Sequence, residues 1–172
     1  KGRVRLDYNM TSRGLIGFRS EFLTLTSGTG LLYHTFDKYG PIVQGLHTGR
    51  RNGALISIGQ GKALPYALFN LQERGKMIIE NGIEVYEGMI VGIHSRNNDL
   101  VVNPLKGKQL TNVRASGNDE AVTLTTPIQV TLEFALEFIN DDELVEVTPK
   151  SLRIRKKFLK EHERKKAARA AS

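Results

Sequence analysis

Two hydrophobic periods meet in this chain, and the switch between them limits what it can fold into. Val4, Leu6 and Tyr8 alternate with Arg3, Arg5 and Asp7, the pattern of a half-buried strand. Ser12 is placed to cap a helix, and Leu15, Phe18, Phe22 and Leu25 then recur at spacings of three and four on one face. Ser27-Gly28 ends that helix, and residues 30–39 (GLLYHTFDKY) predict a second strand. After a linker from Gly40-Pro41 to Asn52-Gly53 the pattern becomes short strands at close intervals. These fall near 54–58, 62–67, 76–80, 88–93 and 100–103, punctuated by Gly, Asn and Asp.

The first unit is strand–helix–strand, which a ferredoxin-like sandwich uses as its second half. Its first half is expected to precede residue 1, so the chain reads as a piece of a larger protein. The second unit reads as a small β-rich barrel or sandwich with short helices. One helix is predicted at 69–75, closed by Gly75, and one from a Thr131 cap to about Phe138. Two more strands are predicted at 144–147 and 151–155. The fold class is α+β: a partial β-α-β unit over residues 1–42, a β-rich domain over 43–158, and a basic tail at 159–172, helical or disordered.

Several chemistries are excluded or weakened at once. With no cysteine, neither disulfides nor thiolate metal sites can form. No apolar run approaches the roughly 20 residues of a membrane helix, so no membrane partner is expected. Ser57-Ile58-Gly59-Gln60-Gly61-Lys62-Ala63 imitates a phosphate loop, but its first Gly is misplaced and Ala63 has no hydroxyl for magnesium. It reads as a tight turn between strands. Glu137, Asp141, Asp142, Glu143 and Glu146 fit no calcium-loop spacing and read as a solvated acidic corner, pairing with the basic tail. The four histidines (34, 47, 94 and 162) share no metal-ligand spacing, and no catalytic constellation or metal site is expected.

What remains is charge. Residues 150–172 carry ten Lys/Arg and two Glu, a local +8 within a total of +7, so residues 1–149 sum to −1. Such asymmetry suggests a polyanionic partner. The tail stretch Arg153, Arg155, Lys156, Lys157 is its plainest site, followed by Arg164-Lys165-Lys166. A second cationic stretch runs from Asn103 to Asp119, NPLKGKQLTNVRASGND, between two apolar strand-like runs. Compact domains seldom keep so long a connection unless it works or is disordered. Its Lys, Arg, Asn, Gln, Ser and Thr are the types that touch phosphates, sugars and base edges. Composition leaves RNA contact and idle disorder equally open. His94-Ser95-Arg96-Asn97-Asn98-Asp99 just before it is a polar turn.

Six segments carry a resemblance: SRGLIGFRSEFLT (12–24), GRRNGALIS (49–57), ALFNLQERG (67–75), EVYEGMIVGIHSRNNDLVVN (84–103), KGKQLTNVRASGNDEAV (106–122) and ALEFINDDELVEVTPKSLRIRKK (135–157). Together they resemble the C-terminal third of the BipA/TypA translational GTPase family over nearly the whole chain. Pro65 departs from the apolar residue expected there. The resemblance implies a piece of a domain like the fifth of elongation factor G, then a C-terminal domain peculiar to the family. It implies a cytoplasmic ribosome-binding GTPase linked to large-subunit assembly and to growth in cold or other stress. GTP and Mg²⁺ would be held by an N-terminal domain, with no cofactor in these 172 residues. The implied partners are the ribosome, large-subunit rRNA and the acceptor end of an A-site tRNA, reached by the 103–117 loop.

On that footing Lys106, Lys108 and Arg114 are candidates for phosphates, and Gln109, Thr111, Asn112 and Ser116 for sugar or base hydrogen bonds. His94, Arg96 and Arg153, Arg155, Lys156 and Lys157 are second-line candidates. The alternative reading is a protein-interaction module with a passive loop and a basic tail. An open sheet edge in the first unit would offer a dimer contact.

Overall fold

The computed structural model describes residues 2, 4–43, 50, 52–107 and 123–171. Its centre is a four-stranded sheet in the order β3-β5-β1-β6, formed by β1 (Ala54–Ser57), β3 (Gly75–Met77), β5 (Ile90–His94) and β6 (Leu100–Val102). β1 runs antiparallel to β5 and parallel to β6, while β3 is antiparallel to β5. Every residue of β1 is buried. That explains why Ala54-Leu55-Ile56 is a continuous apolar run rather than an alternation: both faces are covered. Leu55, Ile90 and Val91 are fully buried in this core, each worth ~1.5–3 kcal/mol of transfer free energy.

Smaller pieces surround the sheet. A two-residue ladder pairs β2 (Gly61–Lys62) with β4 (Glu84–Val85). A hairpin pairs β7 (Glu143–Val147) with β8 (Leu152–Lys156) in register, Glu143 opposite Lys156. A bridge between Met89 and Arg155 ties that hairpin towards the main sheet, and Ile154 enters the shared core. Helix α3 (Pro65–Leu71) buries Ala67 and Leu68. Helix α4 (Leu132–Phe138) buries Ala135 and Phe138, and the Thr131 hydroxyl accepts from Phe134 N at 3.2 Å, the cap expected from sequence. Helix α5 (Glu161–Ala171) carries the charged tail. Mixed helix and sheet agree with α+β, but the barrel or sandwich is not there: the described strands make one open sheet and two small ladders.

Three local expectations are corrected. The strand at 62–67 stops at Lys62, because Pro65 takes the first position of α3, where its fixed φ suits a helix and its missing N–H costs nothing. The helix from Ser12 to Leu25 is two pieces, α1 (Ser12–Leu15) and α2 (Phe18–Leu25), broken at Gly17 with φ 80°. Thr11, not Ser12, is the cap. The strands expected at residues 3–8 and 30–39 are absent from the described residues before Ala54. A strand needs a neighbour for its N–H and C=O groups, and none lies beside them among the described residues. Val4, Tyr33, Phe36 and Tyr39 are accordingly exposed, and the sheet edge expected to offer a dimer contact does not form among the described residues.

Candidate nucleic-acid interface

The cationic stretch after β6 is held at both roots by one short helix. On the outgoing side, Leu64 N donates to Pro104 O at 2.9 Å, and Leu105 N donates to Asn103 Oδ1 at 2.9 Å. Pro104 is buried, and the Leu105 side chain packs over Gly59 and Gly61. On the returning side, Thr125 N and Oγ1 both donate to Gln72 Oε1, at 2.5 and 2.7 Å. Ile128 N then donates to Met77 O at 2.9 Å. Leu64 and Gln72 are the two caps of α3. The roots are therefore about 12 Å apart, at 1.5 Å per helical residue. Residues 108–122, which join them, lie outside the described residues.

A buried ion cluster fixes the turn that feeds this stretch. Arg50 forks onto Glu143, Nη1 to Oε2 at 2.5 Å and Nη2 to Oε1 at 2.7 Å. Its Nη2 also reaches Asp99 Oδ1 at 3.0 Å, and its guanidinium carbon sits 4.3 Å from the Phe138 ring centroid. Lys156, with its side chain only 2% exposed, places Nζ 2.5 Å from Asp99, 2.7 Å from Asp142 and 2.8 Å from Glu143. Ala54 N donates to Asp99 and Asn140 N to Glu143. Burial pulls the Lys156 ammonium down, but the three carboxylates outweigh it and hold it above the ordinary lysine value. Burial raises the Asp99 carboxyl, and Lys156, the Ala54 N–H and Arg50 overcome that and hold it low.

Lys156 is thus a correction. It was expected to face RNA phosphate; instead it points inward and balances a group of carboxylates for which Arg50 is the other cation. The acidic corner is likewise only partly solvated, since the Glu143 side chain has no exposure and Glu146 pairs with Arg155 at 2.6 Å. That corner does pair with the basic stretch, through Lys156 to Asp142 and Glu143 and Arg155 to Glu146, largely out of water.

The polar turn itself follows β5. The His94 ring is buried, with Nδ1 2.5 Å from Asn98 O. A carbonyl can only accept, so Nδ1 is the donor in this contact. Arg96 is exposed, and its carbonyl accepts from Gly53 N at 2.7 Å. Among the other candidates, Lys106 and Lys157 are exposed, Arg153 is half-buried opposite Glu146, and Arg155 is engaged by Glu146. Lys108, Gln109, Thr111, Asn112, Arg114 and Ser116 lie outside the described residues. The Ser57–Ala63 segment links β1 to β2 as a turn, with Ser57 Oγ donating to Gly59 O at 2.9 Å and no helix following Lys62 directly. In the tail, Lys160 pairs with Glu87 at 2.8 Å and Lys165 with Glu161 at 2.6 Å, while Arg164 Nη1 donates to Leu159 O.

The model of the elongation factor G C-terminus matches residues 1–47, and that of the TypA/BipA C-terminal domain matches residues 52–161. The chain belongs to the TypA/BipA C-terminal domain family. It is 66% identical over 170 residues to the large ribosomal subunit assembly factor BipA of Escherichia coli strain K12, covering 99% of this chain. The protein of the same name from Haemophilus influenzae is 64% identical over 172 residues, and that of Buchnera aphidicola 62% over 169. The chain spans 28% of the length of each of these relatives. Within the TypA/BipA domain as folded here, Asp99, Glu143 and Lys156 are brought together with Arg50 across some hundred residues of sequence. No local pattern announces that cluster. In sequence Arg50 sits in the linker, Asp99 in a polar turn, Glu143 in the acidic corner and Lys156 in the basic stretch.

Proposed function

We propose that this chain is the RNA-docking module of a translational GTPase that acts in assembly of the large ribosomal subunit. The observation that carries the reading is the pair of roots pinned to the two caps of α3. They fix where the 108–122 segment leaves and re-enters the body. In this reading Lys106, Lys108 and Arg114 neutralise phosphates, and Gln109, Thr111, Asn112 and Ser116 hydrogen-bond sugars or base edges. Large-subunit rRNA and the acceptor end of an A-site tRNA are the expected ligands, in the cytoplasm, with a role in cold or other stress. GTP and Mg²⁺ belong to an N-terminal domain of the whole protein; the Ser57–Ala63 turn does not fit them. The buried ion cluster supports the reading by making the platform rigid. Such a module binds with less ordering cost than a loop on a soft base.

The test is binding of the 172-residue chain to large ribosomal subunits at several salt concentrations. Changing Lys106, Lys108 and Arg114 together to Ala should weaken binding. It should also flatten the log–log salt slope by about 2, at ~0.7 per phosphate contact on a single strand. Unaltered affinity and slope would show the segment to be passive and favour a protein partner instead.

A further inference from the structure

We infer that the recess between the end of α3 and the β5–β6 turn is a second phosphodiester site for the same RNA strand. This rests on the docking reading above. The recess has a volume of about 330 Å³ and is lined by Glu73, Arg74, His94, Ser95, Arg96 and Asn98. That is the small end of ligand sites, the size of one nucleotide unit. Two arginines and one glutamate line it, in a body whose first 149 residues sum to −1. No carboxylate among the described residues lies within ion-pair distance of Arg74 or Arg96. Their charge is left for a ligand, whereas Arg50, Arg155 and Lys156 spend theirs inside the protein.

The walls are built to hold their shape. Ser95 N donates to Arg74 O at 2.9 Å, Gly53 N to Arg96 O at 2.7 Å and His94 N to Gly53 O at 2.8 Å. Gly53 and Gly75 let the backbones close: a methyl on Gly53 would overlap the Asn98 carbonyl, and one on Gly75 the Ile93 carbonyl. The turn's last residue, Asp99, is clamped by Arg50 and Lys156. Arginine's planar fork suits phosphate oxygens, and its charge does not titrate away. RNA is the occupant of choice because of continuity. Glu73 and Arg74 directly follow Gln72, the residue that anchors the returning root at Thr125. The recess therefore adjoins the returning root, on the face where the docking reading puts the RNA.

The experiment uses the intact 172-residue chain and a fluorescently labelled, mixed-sequence single-stranded RNA, with polarisation read at 50 to 200 mM salt. The Arg74→Gln, Arg96→Gln double variant should bind about tenfold more weakly and lose ~1.4 from the salt slope, two contacts at ~0.7 each. The Arg74→Lys, Arg96→Lys variant should recover part of the loss, and its thermal melt should match wild type. Changing the exposed Lys38 to Gln should alter little. Wild-type affinity in the Gln variant, alongside weakened binding by the Lys106, Lys108, Arg114 variant, would overturn the recess and leave the docking reading standing. No RNA binding by wild type at any salt would overturn both. Displacement of the RNA by an equal concentration of adenosine monophosphate would give the recess to a free nucleotide and end the proposal.

Discussion

Replacing Lys156 with methionine keeps most of the buried volume and removes one charge. The cluster then holds three carboxylates, Asp99, Asp142 and Glu143, against Arg50 alone. Glu143 keeps both Arg50 contacts and the Asn140 N–H. Asp99 Oδ2 and Asp142 Oδ2 lose their partner outright. Breaking a buried pair by removing one member costs about 3–5 kcal/mol. Asp142 is 62% exposed and Asp99 35%, so water recovers part of that, and the low end, about 3 kcal/mol, is expected. For a chain of this length each kcal/mol moves the melting temperature by ~2–4 °C, so a fall of roughly 6–12 °C should appear. Circular dichroism during heating and in urea would measure it. Asp99→Asn in the Lys156→Met background should recover part of the stability, because it removes one of the three carboxylates left facing Arg50; a double-mutant cycle should give a coupling above about 1 kcal/mol. A Lys156→Met variant within about 0.5 kcal/mol of wild type would behave like an exposed ion pair and refute the buried-cluster argument. If it also lost RNA affinity, the side chain would face RNA after all.

The same cluster sets a pH dependence. Asp99 is held below its ordinary value, so its stabilisation is full above ~3.9 and disappears as pH falls through the lower folded value. Lys156 is held above its ordinary value, so its share is full below ~10.4 and disappears as pH rises through the raised one. Urea midpoints across pH should show a plateau falling at both ends, with the alkaline fall reduced in Lys156→Met; an unchanged alkaline limb would contradict this. Gly53→Ala should cost about 1–3 kcal/mol by overpacking against the Asn98 carbonyl, whereas Gly40→Ala, with open space around it, should cost far less. Equal urea midpoints for these two variants would refute the close approach of Gly53 to the turn.

The chain's local patterns were readable where a residue type serves one purpose. Thr131 capping α4, the apolar run of β1 and the β7–β8 hairpin all follow from propensity and period over a few residues. Pro65 misled the strand reading because its role depends on whether a helix starts there, which the neighbouring β2–β4 ladder and the Pro104 contact decide. The alternation around Val4 and Tyr33 was also readable as strand, yet without neighbours it yields extended chain with its apolar side chains in water. Of the candidate site, the sequence marked Lys106, His94 and Arg96 but passed over Arg74, because a single arginine after a helix carries no pattern.

Sequence alone determined the α+β class, the family and the placing of positive charge in the loop and tail, because composition, hydrophobic period and long distinctive segments survive without coordinates. Tertiary structure decided which cations are available. Arg50 and Lys156 read like any other basic residues, but folding carries them beside Asp99 and Glu143 and away from water, where leaving those carboxylates unpaired would cost several kcal/mol. Arg74 and Arg96, some twenty residues apart, are brought to one recess with no acid in ion-pair reach among the described residues. Whether a charge serves the core or a partner depends on who stands within 4 Å, and residues distant in sequence supply that neighbour.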